Sequence, residues 1–551
     1  MEPSSGTPEK TSVIYYGGDI LTVNDLQPTA EALAVRNGKI RAVGDLERVK
    51  ETMGSSHQLV DLEGCTLIPG FIDSHSHLSL VAEKMVTANL SCHPAGPVRN
   101  LADLKQQLTN YLEAEKLGPG DWIVGMGYDP SHMEEGQHPT RYDLDEVSKD
   151  LPVLAIHFSN HILTVNSKLL DLIGYTSETP DPPGGHIQRI EGSNEPNGIL
   201  EELAGFEVRK IMPQRSLQDK IMGLEKACEY YQSRGYTTIQ DGAVVNMEGY
   251  DALIEAAEQG IFGADVVGYP FYPQAPELMD LYDFSGRYRN HFRIGGAKLV
   301  LDGGLPGYTA YLREPYFKPL PGMAADYRAY PFYEDQNQIN SWVEEFYAND
   351  WPHLVHALGD AAIDQFLKAV KHAENLYPGQ DRRSVLIHAI VMPEDQLDTA
   401  QDLSVVISFF SAHNYIFSDF HVSDTVGPER GKRINPAASA LKRVINYTIH
   451  HDGPITPVDQ IDLIWAAVNR MGESGRIHGP DQRISPLEAL KASTINAAYQ
   501  YFEEDTKGSL EVGKLADMVI LSDNPLKVAP LKIRDIEVLE TIKEGKPIYH
   551  K

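Results

Sequence analysis

Two histidines one residue apart close a short apolar run, Leu67-Ile68-Pro69-Gly70-Phe71-Ile72-Asp73-Ser74-His75-Ser76-His77. On a strand, residues i and i+2 point to the same side, so His75 and His77 face one metal ion together while Ser76 faces away. Further apolar runs end in residues of matching chemistry. Lys298 lies in Gly295-Gly296-Ala297-Lys298-Leu299-Val300-Leu301-Asp302, and His356 in Leu354-Val355-His356-Ala357-Leu358-Gly359-Asp360. His388 follows Val385-Leu386-Ile387, and Asp452 lies in His450-His451-Asp452-Gly453-Pro454. Neutral imidazoles and a carboxylate suit Zn²⁺ and similar divalent ions. Such an ion lowers the pKa of bound water from about 16 to roughly 7. Asp452 is then placed to take a proton from that water and pass it to a leaving nitrogen. An ammonium has no lone pair to offer a metal. Lys298 therefore fits only as the neutral amine, or as the carbamate that CO₂ makes of it.

Something must bring positions 75 to 452 together. The middle of the chain alternates short apolar runs with amphipathic helices, which predicts a parallel α/β sheet. Eight candidate strands are Gly70–His75, Tyr236–Gln240, Asp265–Tyr269, Ala297–Leu301, His353–His356, Val385–His388, Val405–Phe409 and Asn446–His451. Eight matches a (β/α)₈ TIM barrel, whose active sites lie at the C-terminal strand ends. Helices are predicted over 216–232, with Ile221, Leu224 and Cys228 on one face, and over 335–347. Residues 80 to 215 are too many for a barrel loop and are expected to form an inserted cap, with Val153–Ile156 as one of its strands. The chain ends read differently. Val13–Tyr16, Ala32–Val35 and Lys39–Val43 are short strands, the last two joined by Asn37-Gly38, a strong hairpin signal. Met518–Leu521, Val538–Ile542 and Pro547–Tyr549 resemble them. Residues 1–68 and 508–551 are thus expected to form one composite β-sandwich beside a barrel over 69–507.

The chain has 551 residues, is 42% apolar and 23% charged, and carries a formal charge of −30. That charge argues against nucleic acid and anionic membranes as partners. The three cysteines, Cys65, Cys92 and Cys228, show no CxxC spacing and suit a reducing, cytoplasmic setting. Met1 to Lys10 is polar and lacks an apolar signal core. No G-x-S-x-G elbow occurs, and no cysteine has an evident base partner, so serine or cysteine nucleophiles are not expected. The expected partner is a small-molecule substrate, with a homodimer as the default assembly.

The ordered set resembles the amidohydrolase superfamily of metal-dependent hydrolases, and within it the YtcJ-like group that includes N-substituted formamide deformylase. The resemblance covers about residues 12 to 530. It rests on Gly38-Lys39-Ile40, on Pro69 to His77, on Pro139-Thr140-Arg141-Tyr142-Asp143-Leu144-Asp145 and on Val165-Asn166-Ser167. Pro180-Asp181-Pro182-Pro183-Gly184-Gly185, Lys298 to Ala310, His356 to Asp360 and Ile520 to Pro525 complete it. It implies metal ligands at His75, His77, Lys298, His356, His388 and Asp452, with Asp452 also catalytic. It further implies one or two divalent ions, of which two are favoured, bridged by carboxylated Lys298. The chain departs from the group at Ile387, where a Glu is usual, at His450-His451 in place of Gly-Ser, and at Gly304 to Tyr308. Asn160, His161, Tyr128 and Arg433 are candidate substrate contacts. The expected reaction is hydrolysis of a non-peptide C–N bond, an N-substituted amide above all. Cyclic amides, esters, carbamates and heterocyclic amines are alternatives on the same site, and so is a regulatory or binding role without catalysis.

Overall fold

The computed structural model describes residues 12–55, 57–158, 162–182, 185–213, 215–319 and 323–551. The chain divides into two compact units. One comprises residues 12–78, 228–453 and 458–551 as described, and the other 79–227 with 454–457.

Within the first unit, one eight-stranded sheet draws on both chain ends. Ser12–Leu21, Thr29–Arg36 and Lys39–Gly44 supply one side. Met518–Leu521, Val538–Lys543 and Lys546–His550 supply the other. Thr66–Pro69 joins the halves, parallel to Ser12–Leu21 and antiparallel to Met518–Leu521, and Gln58–Asp61 pairs with Ser12–Leu21. The hairpin turns at Asn37-Gly38, both with positive φ (55° and 74°), as a two-residue turn matched to strand twist requires. Leu33, Val35, Ile40, Leu67, Met518 and Ile542 share one core beneath it.

The remaining strands of this unit are short and parallel. They are β1 (Phe71–Ile72), β2 (Tyr236–Val244), β3 (Asp265–Pro270), β4 (Ala297–Val300), β5 (His353–Ala357), β6 (Val385–His388), β7 (Val406–Phe409) and β8 (Tyr447–Ile449). They run in sequence order but form two sheets and not the expected closed eight-stranded ladder. One sheet holds β1, β2, β3 and the edge strand Phe292–Ile294, and the other holds β4 to β8. The reason lies in Gly295-Gly296. At Gly296 φ is +149°, and a Cβ there would meet the Pro352 carbonyl oxygen at 2.0 Å. The chain kinks at this point, so residues 292–294 pair with β3 while 297–300 pair with β5. Among the described residues an isolated bridge, Phe271 to Lys298, spans that seam. At the other seam β8 meets the segment after β1 through Ser74 Oγ to the Ile449 carbonyl (3.2 Å) and Asp452 N to the His75 carbonyl (3.2 Å).

Two helices form where the apolar spacing places them. Gln336–Ala348 buries Ile339, Val343 and Phe346 and is capped by Asp335. Leu217–Ser233 starts at a reciprocal Ser216–Asp219 cap and buries Ile221, Leu224 and Cys228. Among the described residues no helix is long and apolar enough to cross a membrane.

The second unit has its own six-stranded sheet, including Ile123–Tyr128, Val153–His157 and Pro196–Glu202. Its two apolar clusters centre on Leu104, Leu108 and Val153, and on Leu163, Leu169 and Leu200.

Candidate active site

β1 ends at Ile72, so His75 and His77 sit beyond the strand and not within its alternation. Asp73 shapes the segment that carries them. Its carboxylate accepts from His75 N (3.1 Å), Gln240 N (3.1 Å) and Ser76 Oγ. Burial pushes the Asp73 carboxyl up to about 7 against those donors. Ser76, expected to face away from the metal side, is held there by Asp73 and by the Tyr231 hydroxyl at 2.6 Å.

The two imidazoles meet Asp452 from the far end of the sequence. His75 Nε2 lies 3.4 Å and His77 Nε2 3.3 Å from Asp452 Oδ1. Asp452 follows β8 with φ 53°, a left-handed conformation that turns its carboxylate toward them. The three side chains offer ligand atoms all within 4.8 Å of one another. His75 is fixed behind by Gln240, whose Oε1 lies 2.7 Å from His75 Nδ1. The Gln240 amide nitrogen donates to the Ser74 carbonyl and the Tyr501 hydroxyl, so its oxygen is the atom that faces His75. His75 Nδ1 then carries the proton and Nε2 the lone pair. Burial first, and Lys298 next, hold His75 well below its usual pKa, which keeps that lone pair free. A lone pair and a carboxylate oxygen facing each other suit a cation, and Asp452 Oδ1 has no hydrogen-bond donor. The donor set therefore fits a divalent metal.

Lys298, within β4, places Nζ 3.4 Å from His75 Nε2. The residue is buried, and burial lowers its pKa to about 7 although Asp452 opposes the shift. His356, in β5, and His388, at the end of β6, meet through Nδ1 and Nε2 at 2.9 Å. The His388 ring centroid lies 5.2 Å from that of His75. Burial pushes His356 down to about 3 and His388 well below its usual value. Both imidazoles are neutral, as metal ligands must be. The structure thus brings the six sequence-predicted ligands into one cluster.

Asn160 and His161 lie outside the described residues. Tyr128 belongs to the second unit, where its ring is fully buried and its hydroxyl meets His138 Nδ1 (3.1 Å) and Thr164 Oγ1 (3.0 Å). Arg433 pairs with Glu394, which Arg443 also holds at 2.6 Å.

Other residues enter that sequence reasoning passed over. Gln240 and Asp73 support His75, and His450 contacts His388 Nδ1 through Nε2 (3.1 Å). Asp302, just past β4, is fully buried and accepts from the backbone N–H groups of Tyr311, Leu358 and Gly359. It ties the loops after β4 and β5 together beside His356, whose Nε2 is 3.6 Å away. Gln240 was legible as the last residue of a predicted strand, but its side chain is not a usual metal ligand.

The sequence pattern described as "Amidohydrolase family" matches residues 58–549. YtcJ of Bacillus subtilis (strain 168) is 28% identical over 552 residues, covering 98% of this chain and 99% of its own length. The N-substituted formamide deformylase of Arthrobacter pascens is 27% identical over 560 residues, covering 97% of each. The crystal structure of an uncharacterized metal-dependent hydrolase from Pyrococcus horikoshii OT3 superposes with a TM-score of 0.74 at 25% identity, covering 98% of this chain and 100% of that one. With the pattern spanning most of its length, the chain belongs to the amidohydrolase family of metal-dependent hydrolases.

Proposed function

We propose that this chain hydrolyses a non-peptide C–N bond, that of an N-substituted amide, at a centre of two divalent ions. His75, His77 and Asp452 would hold one ion and His356 and His388 the other, with Lys298, as its carbamate, a further ligand. One observation carries the reading. Three electron-pair donors from opposite ends of the chain face one point, while a buried lysine and a second pair of imidazoles stand beside them. Imidazole with carboxylate favours Zn²⁺ among the common ions. The two parallel sheets are the halves of a (β/α)₈ barrel whose ladder is interrupted at Gly295-Gly296. The site then occupies the usual C-terminal strand ends. The name of the Arthrobacter pascens relative supports the substrate class.

When bound, such ions polarise the substrate carbonyl and bring the pKa of water near neutrality. The chain's own residues do the rest. Gln240 keeps His75 Nε2 unprotonated and aimed at Asp452. Asp452 takes the proton of the attacking water and delivers it to the leaving nitrogen. The new C–O bond and the broken C–N bond give a carboxylic acid and an amine.

The test combines metal analysis, chelation and Asp452→Asn on a panel of N-substituted formamides, cyclic amides, esters and lactones. We expect amide turnover that chelation abolishes and that Asp452→Asn reduces by about 10²–10⁴-fold. Turnover without metal, or a full rate in Asp452→Asn, overturns the mechanism. Faster turnover of an ester or lactone overturns the substrate class.

A further inference from the structure

Behind His388 runs a line of buried hydrogen bonds that the proposed reaction does not use. Ser74 Oγ lies 3.2 Å from the Ile449 carbonyl oxygen and 3.3 Å from Ser408 Oγ. Ser408 Oγ lies 2.8 Å from His450 Nδ1, and His450 Nε2 lies 3.1 Å from His388 Nδ1. All four side chains are almost wholly shielded from solvent. Water therefore cannot rearrange the protons.

The direction of each bond follows from one end. A carbonyl oxygen only accepts, so the single Ser74 hydroxyl hydrogen is committed to Ile449. The Ser408 hydroxyl must then donate to Ser74 and accept from His450 Nδ1–H. His450 Nε2 is left with a lone pair and accepts from His388 Nδ1–H. His388 Nε2 consequently presents a lone pair to His356 Nδ1, 2.9 Å away. Asp302 Oδ1 lies 3.6 Å from His356 Nε2, and the Gly303 and Asp302 backbone carbonyls favour a proton on that ring, which belongs on the side away from His388. Two lone pairs so close repel one another unless a cation serves both.

We propose that His450, backed by Ser408 and Ser74, is the positioning residue that orients His388 as a metal ligand. It thereby sets the affinity of the ion on the His356–His388 side independently of the ion on the His75–His77–Asp452 side. The inference rests on the two-ion reading above. Ser408 lies on β7 and Ser74 just past β1, so three neighbouring strand ends specify one tautomer. Partners that fix a ligating histidine from behind typically govern metal affinity by about 10–100-fold.

The experiment is Zn²⁺ binding to the chelator-stripped full chain, by competition with a chromophoric chelator that resolves two affinities. His356→Ala and His77→Ala assign each affinity to its side. In His450→Leu, which cannot accept from His388, we expect the His356-side ion to bind about 10–100-fold more weakly and the other to stay within about twofold. His450→Gln, whose Oε1 can accept that proton, restores most of the affinity. Ser408→Ala shifts the same ion in the same direction by less, and it decides the matter if His450→Leu does not fold. Two ions bound by wild type with no selective loss in these variants overturns the role of His450 alone. A single ion in wild type overturns the two-ion reading and this inference with it.

Discussion

Lowering the pH with the metal removed should charge this interior in a way that can be counted. Eight histidines are held neutral, seven of them fully buried and His356 partly so: His75, His353, His356, His388, His413, His421, His450 and His451. Burial is the leading cause for each. Their surroundings bring the folded values to about 4 for His353 and about 3 for His356, His421 and His451, and the others lie well below the usual range. Once unfolded, each returns to about 6.5. Such a histidine contributes its full stability above about pH 6.5 and loses it as the pH falls toward the folded value. Asp73 and Asp302 act oppositely. Burial raises both to about 7, so they hold protons in the folded chain that they release on unfolding above about pH 4. At pH 5.5 an unfolded histidine is about 90% protonated and the two carboxyls release nearly one proton each, for a net uptake of about five. Five protons correspond to roughly 7 kcal/mol of stability per pH unit, comparable with the roughly 5–15 kcal/mol total of a typical fold. The assay is pH-stat titration of the chelated protein on transfer to guanidinium chloride at pH 5.5. The double variant His413→Gln/His421→Gln, away from the proposed ligands, should take up about two protons fewer. Uptake of fewer than two protons by wild type would refute the reasoning.

Two substitutions probe the supports of the site and of the fold. Gln240→Leu removes the acceptor behind His75 Nδ1, and Zn²⁺ affinity should fall about 10–100-fold in the same competition titration; an unchanged affinity means that Gln240 does not orient His75. Asp265 receives Lys507 and Lys543, each at 2.6 Å, in the interior. Its burial alone would raise the carboxyl, but the two lysines hold it well below the usual range. Asp265→Ala leaves both cations short of a partner and should cost roughly 3–5 kcal/mol, read as a lower urea midpoint; a midpoint equal to wild type counts against the network.

Five of the six clustered residues were legible because they end or follow an apolar run, and strand ends of one parallel fold converge; Lys298 instead stands second in β4. What lay beyond reach is instructive. A closed ladder was expected from the count of eight runs, but counting runs does not show that Gly296 hands one half of a strand to each neighbour. Tyr128 also ends an apolar run, and its strand lies in the sheet of the second unit, within the stretch expected as an insertion. Gln240 and His450 act through other side chains. A residue of that kind has no signature of its own until its partner is placed, although His450-His451 was visible as a departure from related sequences.

The strand Thr66–Pro69 runs straight into the segment bearing His75 and His77, and one of its edges is covered only by Met518–Leu521, about 450 positions later. At about 5–20 residues per second a ribosome needs roughly 20–90 s to make that intervening length. Throughout that interval Leu67 and Ile68, both inaccessible in the finished molecule, belong to an uncovered sheet margin of the kind that recruits stray strands. Assembly of the first two histidines is thus timed by a hairpin made much later.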